Sequence, residues 1–428
     1  NSPVEGHDVI VPVNSIIGGV EGVGQGWRML MESLAAGRGI SLPAMALAGI
    51  KFVARAVGAY ATVRRQFGQS IGQFEGIEEP LARIGAFAYL MEATRRYTCG
   101  ALDQGARPAV ATAIVKYNLT ELNRKAINDG MDIFAGNAIA RGPRNLLAHI
   151  YSWTPITIAV EGANILMRTL MIFGQGAIRC HPYASTEIQA LKSGNTEAFD
   201  LALWRHIRHV VRNLFRSIFL SISRGHLAIS PVSGPAARYY RKLAWASATF
   251  AILADLTMIA LGGELKRKEK ITGRFADLFS CMYLGTATLR RFEAEGRRTD
   301  DLPLLHWSMQ FILAQLQHSF DSLLKNLKIP GLGLLVRGPI ALWSRINRIE
   351  TMPSDELGAQ VARIIQTPGP QRDRLTEGIY VPDDPNEALG RLERAFGISY
   401  EAAAVDRKIR NAVLAQELPK GRPRELVS

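Results

Sequence analysis

The chain has 428 residues, of which 47% are apolar and 21% charged, and its formal net charge is +13. This composition excludes an intrinsically disordered chain, and the length allows two or three folded domains. The positive charge favours acidic partners, such as an anionic membrane or phosphate-rich ligands. Because the basic residues are scattered and no nucleic-acid-binding motif occurs, we predict no nucleic-acid partner.

Periodicity along the first 180 residues indicates one strand followed by long helices. Residues 6–14 predict a β-strand, and glycines in the following turn-rich segment separate it from the helices. Apolar residues at three- and four-residue steps predict helices at 26–66 (with a break near 37–43), 77–104, 110–133 and from just after Glu161 to 173. Long helices with short connections favour an antiparallel four-helix bundle.

The second half of the chain also has helical periodicity. Helices are predicted at about 185–193, 197–226, 236–263, 268–295 and 305–327, and two short helices in the tail. The stretch Leu243 to Gly263 is long enough to span a bilayer, but Asp255 in its middle favours a helix buried within a bundle. The predicted fold is all-α, with a strand remnant (1–18), a four-helix bundle (19–183), an additional helical domain (184–368) and a tail (369–428).

The three cysteines indicate the cellular compartment. Cys99, Cys180 and Cys281 are far apart and give neither a disulfide framework nor a metal-ligand spacing. They favour buried free thiols in a reducing compartment, so we predict a cytoplasmic protein, free or peripheral on the inner membrane. The chain begins without Met and without a signal peptide, which is typical of a processed chain or a piece of a longer one.

One carboxylate has an unusual setting. Glu161 follows an apolar run and precedes Gly162, which allows a ligand to approach the backbone closely. Apolar neighbours cannot solvate a charge, so the pKa of this carboxyl is expected to be raised, as suits a base acting on carbon. The residues alone leave two interpretations open: a catalytic carboxylate, or a first-turn Glu stabilised by a helix dipole.

Other polar motifs also allow two interpretations. Tyr60 and Arg64 lie one helical turn apart before Phe67, and this arrangement fits a pyrophosphate or an ordinary basic helix end. Arg38, between two glycines, is a substrate contact or an exposed helix charge. His206 and His209 lie one turn apart, but no carboxylate or cysteine is spaced to complete a site, so we predict a surface pair and no metal.

Residues 323–348 contain five basic residues and no acid, with leucines and Trp343 between them. A basic amphipathic segment with Trp is typical of an interfacial membrane anchor. The alternative is a helical hairpin that packs against the rest of the protein and has a solvated basic rim.

Taken together, residues 6–180 resemble the C-terminal half of the acyl-CoA dehydrogenase family. The similarity rests on the order and spacing of short elements: the run 7–12, the glycine-rich turn 22–27, Arg64-Arg65-Gln66-Phe67-Gly68, Lys116, and Val160-Glu161-Gly162. The resemblance implies that Glu161 removes the α-proton of an acyl-CoA and that FAD accepts the hydride. It also implies that Arg38 lies near the substrate and that Arg64 and Phe67 contact the FAD of a neighbouring subunit, so a homodimer or higher oligomer is expected.

Several positions depart from the family pattern. Glu75 stands where the family has Gln, and the family's glycine-rich loop reads Asp132-Ile133-Phe134-Ala135-Gly136. Ser152 replaces an Arg, and Ala163 replaces a Thr. The resemblance implies that Glu75, Asp132 and Gly136 contact the flavin. The departures are similar to the sequence of the large bacterial long-chain form of the family. That form has an extra helical C-terminal region, which residues 187–428 match.

The resemblance therefore predicts an FAD-dependent dehydrogenase of long-chain fatty acyl-CoA that gives trans-2-enoyl-CoA in the first step of β-oxidation. Electrons are expected to pass to an electron-transfer flavoprotein. One alternative is an acyl-CoA oxidase with the same base and O₂ as acceptor. Another is a non-catalytic helical protein at a membrane surface.

Overall fold

The structure, a computed structural model, describes residues 3–419. The side chains of Trp27, Arg28, Met31, Glu32 and Ala36 lie outside that description, so the aromatic member of the predicted 22–27 turn motif has no structural account. The ends of the predicted first and last domains, residues 1–2 and 420–428, also lie outside it.

The first half of the chain is helical, as predicted. Its helices are α1 (Gly26–Gly39), α2 (Ser41–Val63), α3 (Glu75–Asp103), α4 (Ala109–Phe134), α5 (Ala148–Ala159) and α6 (Asn164–Cys180), with a single turn at Gly136–Ile139. Helix α2 packs against α3 and α4, and α1, α5 and α6 lie against α4. The central part of α6, Met167–Gln175, is a π-helix. Helix α5 was missed because its twelve residues have no apolar periodicity.

A two-residue hairpin replaces the end of the predicted 26–66 helix. Strand β1 (Arg65–Gln66) pairs with β2 (Gln69–Ser70) in antiparallel register. The loop residues Phe67 and Gly68 both have positive φ, 51° and 81°, which is the backbone that a two-residue hairpin turn requires. The hairpin therefore presents Phe67 at its tip.

Within the described residues, the second half adds nine helices. They are α7 (Ala184–Ser193), α8 (Thr196–Ile222), α9 (Ala237–Leu261), α10 (Glu269–Ala294), α11 (Leu302–Asn326), α12 (Gly333–Leu335, Val336–Ile340 and Ala341–Ile346 in succession), α13 (Asp355–Ile365), α14 (Pro370–Leu375) and α15 (Ala388–Leu414). Short 3-10 turns lie at Val13–Ser15, Val20–Gly22, Ile71–Gln73, Gly262–Arg267 and Thr299–Asp301. The Asn195 side chain caps α8 by accepting from the Ala198 N–H at 2.9 Å.

The two halves share their hydrophobic cores. One core joins Ile114 of α4 and Phe173 of α6 to residues of α9, α10 and α11. The other joins α2, α3 and α4 to Trp307, to Ile365 of α13 and to Leu389 of α15. Helix α9, which contains Asp255, lies between α8 and α10 rather than apart from the bundle. It and α2 are long and apolar enough to cross a membrane, but half or more of each apolar window is buried within the protein.

Two predicted elements are wrong. Residues 6–14 form no strand: residues 3–12 are exposed, and no described segment pairs with them. A strand needs a neighbour for its backbone hydrogen bonds, and a short run rich in Val and Ile alone does not supply one. In the tail, one 27-residue helix, α15, replaces the two short helices, because its C-terminal part continues past Phe396 through residues with high helix propensity.

Candidate active site around Glu161

Glu161 lies in the tight turn between α5 and α6. Its φ is 54° and that of Gly162 is 101°, so two consecutive residues have left-handed backbone conformations. Such a conformation costs a non-glycine residue about 1–3 kcal/mol, so surrounding contacts must hold it. An L side chain rarely adopts the φ of Gly162, which explains the glycine after the carboxylate. The alternative of a first-turn Glu is wrong, because α6 begins at Asn164 and the residue that caps it is Ala163, so Glu161 lies before the helix.

A buried lysine holds this turn in place. Lys116 of α4, which is 0% exposed, donates from Nζ to the backbone oxygens of Ile158 (3.1 Å) and Gly162 (2.8 Å). It also donates to Asn164 Oδ1 at 2.7 Å. Asn164 in turn donates to Thr120 Oγ1 at 2.9 Å. These bonds fix the chain on both sides of Glu161 to the middle of the bundle.

Arg38 holds the turn from the opposite side. It is 2% exposed, and its Nε donates to the Glu161 backbone oxygen at 3.0 Å. The exposed-charge interpretation of Arg38 is therefore wrong. The preceding residue, Gly37, lies directly against the carboxylate, because a Cβ at that position would be 2.8 Å from Glu161 Oε1. A glycine thus provides the space that the carboxylate occupies.

The electrostatics of the site place a proton acceptor between two cations. Burial raises the pKa of Glu161 above its usual value, and the charges of Arg38 and Lys116 oppose that rise. Burial also lowers the pKa of Lys116 to about 8, although Glu161 raises it. Glu161 Oε2 is buried and has no hydrogen-bond partner among the side chains and backbone groups that the structure describes. It is therefore an acceptor free to take a proton from a ligand.

The predicted cofactor residues lie together at the other end of the bundle. Arg64 follows α2, Glu75 begins α3, and Asp132 and Gly136 lie where α4 ends, and all four are exposed. Phe67 at the hairpin tip is 95% exposed and touches Phe74 edge-on, with ring centroids 6.2 Å apart. These five residues thus form an outward-facing group, which we call the hairpin surface.

Helix α2 separates the hairpin surface from Glu161. Arg38 precedes α2 and Arg64 follows it, and a helix of 23 residues is about 35 Å long. The two groups of one chain therefore cannot contact one small ligand at the same time. Only Arg38 and Gly162, among the predicted site residues, lie beside Glu161.

Two residues beside Glu161 were not predicted as site residues, and the prediction that His206 and His209 form a surface pair is wrong for His206. Gly37 and Lys116 were not assigned to the site, although a lysine on the apolar side of α4, in line with Thr112 and Thr120, is a usable signal. His206 is not a surface residue: it is half-buried, and its Nδ1 lies 2.9 Å from Glu187 Oε1. The carboxylate comes from α7, at a distance along the chain that spacing rules do not cover.

Two family profiles match this chain. The profile "Acyl-CoA dehydrogenase, C-terminal, bacterial type" matches residues 178–428, and "Acyl-CoA dehydrogenase, C-terminal domain" matches residues 24–173. The chain is 32% identical over 171 residues to the very long-chain specific acyl-CoA dehydrogenase, mitochondrial, of Homo sapiens. The aligned residues are 40% of this chain and 25% of that protein. It is also 54% identical to Protein HemX of Proteus mirabilis over 59 residues, which are 14% of this chain and 35% of that protein.

A solved structure shows a similar fold. The acyl-CoA dehydrogenase complexed with FAD from Bacillus anthracis superposes with a TM-score of 0.58 at 15% identity, over 78% of this chain and 55% of that one. The chain spans a quarter to about a third of the curated relatives and about half of the solved structure. Because one profile covers more than half of its residues, the chain belongs to the acyl-CoA dehydrogenase family.

Proposed function

We propose that this protein takes part in the α,β-dehydrogenation of a fatty acyl-CoA, with Glu161 as the base that removes the proton from C2. The observation that carries the proposal is Glu161 Oε2, a buried carboxylate oxygen without a hydrogen-bond partner among the described residues. The C2–H of a thioester is a weak acid, so its removal needs a base with a raised pKa in a desolvated site. Burial supplies that rise for Glu161.

The residues around Glu161 have separate tasks in this mechanism. Lys116 and Arg38 hold the backbone on each side of the base, so its carboxylate stays fixed relative to a bound substrate. Their charges favour the ionised carboxylate, because they oppose the effect of burial on its pKa. Gly162 allows the left-handed backbone by which the chain turns after the base. As negative charge moves from Glu161 to the thioester, the same two cations remain near it.

The pH dependence of turnover tests this role of Lys116. Glu161 acts as a base only when it is ionised, so kcat/KM is expected to fall as the pH drops through its raised pKa. Replacing Lys116 with Met removes a positive charge, which should raise that pKa further and move the acidic limb to higher pH. Arg38→Gln should move it in the same direction, and Lys192→Met, at an exposed position, should leave it in place. Acidic limbs unchanged in both site variants would contradict the assignment.

The hairpin surface fits FAD as a cofactor. A cleft of about 620 Å³ lies beside the C-terminal end of α4 and is bordered by Arg141, Arg144 and Arg391, which suit phosphate groups. Phe67 and Arg64 project from the hairpin beside it, although the carboxylates of Glu75 and Asp132 face an anionic ligand less favourably than the family's Gln. When bound, FAD supplies the two-electron sink that the dehydrogenation needs.

A second copy of the protein would bring the two groups of residues together. Since Arg64 and Glu161 lie at opposite ends of α2, we propose a homodimer or higher homo-oligomer in which the hairpin surface of one copy supports the flavin beside Glu161 of another. Long-chain acyl-CoA as the substrate and an electron-transfer flavoprotein as the acceptor are further parts of the proposal. Oxygen consumption during turnover would instead favour the oxidase alternative.

Subunit complementation tests this arrangement. Arg64→Ala and Glu161→Gln should each abolish turnover alone, but co-assembled copies would restore one intact site per mixed dimer. About a quarter of wild-type activity is expected after 1:1 mixing, because half of the dimers are mixed and half of their sites are intact. Unfolding, refolding and mixing of the wild-type protein controls for recovery. No recovery in the mixture, with mixed dimers present on native mass spectrometry, would contradict the proposal.

We also propose that the protein binds an anionic membrane through α8 and α12. One face of α8 exposes a stripe of apolar residues at helical spacing: Leu201, Trp204, Ile207, Val211, Leu214, Phe215, Ile218 and Ile222. Helix α12 lies beside it, since Trp343 Nε1 donates to Ser221 Oγ at 2.8 Å, and exposes Leu334, Leu342 and Ile346. Trp204 and Trp343 suit the interfacial region of a bilayer.

Charge supports a membrane over a protein partner for this face. Arg205, Arg208, Arg212 and Arg216 border the apolar stripe of α8 and are exposed, as are Arg337 and Arg345 on α12. Each basic residue near an anionic bilayer contributes about 1 kcal/mol. The packing alternative for residues 323–348 describes only their other face, where Leu323, Leu327 and Val336 lie in the core. Deleting that segment would therefore unfold the protein, and point changes give the sharper test.

Vesicle binding measures the contribution of the α8 arginines. Replacing Arg208, Arg212 and Arg216 with Glu should weaken binding to vesicles of phosphatidylcholine with phosphatidylglycerol by 100-fold or more, on the order of 1 kcal/mol per position. The matched variant with Arg363, Arg394 and Arg407 changed to Glu carries the same net charge but alters exposed residues elsewhere. Equal losses in both variants, measured by sedimentation with vesicles, would show that net charge alone matters and would remove α8 as the contact.

A further inference from the structure

A second cavity lies far from Glu161. It has a volume of about 430 Å³, which is within the usual range for a small-molecule site, and it lies between the C-terminal end of α6, α9 and α10. Its walls are mainly apolar and include Ile172, Phe173, Phe250, Met258 and Met282. Because α6 runs from Asn164 to Cys180, the end of the cavity beside His181 lies about 25 Å along the helix from Glu161, and the nearest wall residue, Ile172, lies about 12 Å along it.

One end of the cavity is polar, and its hydrogen bonds fix a tautomer. Asp255, which is 2% exposed, and His181 both line that end. His181 Nδ1 accepts from the backbone N–H groups of Tyr183 at 3.2 Å and Ala184 at 2.9 Å, so its proton is on Nε2. That Nε2–H then donates to Asp255 Oδ1 at 3.0 Å. The second carboxylate oxygen of Asp255 receives no donor from residues 3–419.

A second histidine adds another acceptor beside Asp255. His206 Nδ1 lies 2.9 Å from Glu187 Oε1, and in the neutral imidazole it donates its one proton there and keeps a lone pair on Nε2. Nε2 lies 3.6 Å from Asp255 Oδ1 and is buried without a partner in the described part of the chain. Two buried acceptors, one of them anionic, therefore lie side by side. A buried acceptor that no donor satisfies destabilises the folded protein.

The same bonds argue against a metal ion. His181, His206 and Asp255 place ligand atoms within 4.8 Å of one another, the spacing of a metal site. However, His181 Nε2 carries a proton, because its Nδ1 is occupied by two backbone donors, so it has no lone pair for a metal. Only His206 and Asp255 remain, which is fewer than the three or four protein ligands of a zinc site. A ligand that donates hydrogen bonds to Asp255 Oδ2 and His206 Nε2 therefore fits the cluster better than a metal ion.

We propose that this cavity binds a molecule with an apolar body and a primary ammonium head, whose N–H groups donate to Asp255 Oδ2 and His206 Nε2. A cationic head with three donors satisfies two neighbouring acceptors and pairs with the carboxylate. The apolar body would lie along Phe173, Phe250 and Met282, where it displaces water from apolar walls.

Calorimetry with three eight-carbon probes tests the proposal. The amine n-octylamine is expected to bind the full-length protein with one-to-one stoichiometry, at least tenfold more tightly than n-octanol, and octanoate is expected not to bind. Asp255→Asn keeps the shape of the side chain but removes its charge, so it should weaken octylamine binding at least tenfold. Ala251→Phe fills the cavity from α9 and should abolish binding of all three probes.

The controls separate this site from the one around Glu161. Glu161→Gln should leave octylamine binding unchanged, because the polar end of the cavity, beside His181, lies about 25 Å along α6 from Glu161. Octanoate binding as tight as that of octylamine, or octylamine binding unchanged in both cavity variants, would overturn the proposal. Stoichiometric zinc binding that is lost in Asp255→Asn and displaces octylamine would also overturn it, because the cluster would then be a metal site.

Discussion

Replacing Glu161 with Gln is expected to lower kcat for acyl-CoA dehydrogenation by about 10²- to 10⁴-fold, the usual contribution of a positioned base. Gln keeps the size of the side chain and the backbone contacts with Arg38 and Lys116, but its amide cannot accept the C2 proton. Flavin content and thermal stability should stay at wild-type levels, because the hairpin surface lies at the other end of α2. Turnover with an artificial electron acceptor measures the loss.

Two further variants show whether the loss belongs to the base. Glu161→Asp keeps the carboxylate but withdraws it by one methylene, so it should retain more activity than Glu161→Gln and less than wild type. Glu356→Gln changes an exposed glutamate in the first turn of α13 and should not alter turnover. If Glu161→Gln kept wild-type turnover, another group would have to remove the proton.

Adding a methyl group at Gly37 is expected to lower kcat/KM by about 100-fold, the effect of misplacing a reacting group by about 1 Å. An alanine Cβ there would lie 2.8 Å from Glu161 Oε1, so the carboxylate would have to move. Gly37 is inside α1, where alanine favours the helix, so the variant should fold at least as stably as wild type. Activity should therefore fall while the free energy of unfolding does not.

Gly100→Ala is the matched control for this substitution. Gly100 also lies inside a helix, α3, and a Cβ there would meet no atom within 4 Å. Both variants gain the same methyl group and the same helix propensity, but only Gly37→Ala touches the base. Equal activities in the two variants would show that the carboxylate of Glu161 does not need the position that the structure gives it.

The helices could be predicted from the sequence because burial repeats along them at helical spacing. Helices α3, α4, α8, α9, α10 and α11 lie within a few residues of their predicted bounds. The family resemblance is confirmed as well. Helix α5 was missed because it lacks periodicity. The strand-like run at 6–14 predicted a strand for which no neighbouring strand exists among the described residues.

The candidate site was only partly predictable, for a physical reason. The apolar run before Glu161 indicated a carboxylate with a raised pKa, but the groups that hold it come from α1 and α4, far along the chain. Arg38 reaches the Glu161 backbone across 123 residues, and Lys116 reaches Gly162 across 46. Likewise, the pairing of Glu187 and Asp255 with His181 and His206 depends on the packing of α7, α8 and α9. The spacing of residues along the chain does not predict contacts between segments that are far apart in sequence.

Exchange of the C2 proton of a bound acyl-CoA with deuterium from D₂O tests the central claim most directly, because it reports proton removal independently of hydride transfer. Mass spectrometry of recovered acyl-CoA should show deuterium at C2 with the wild-type protein, and none above the uncatalysed background with Glu161→Gln. Deuterium uptake at the wild-type rate in Glu161→Gln would contradict the assignment of Glu161 as the base.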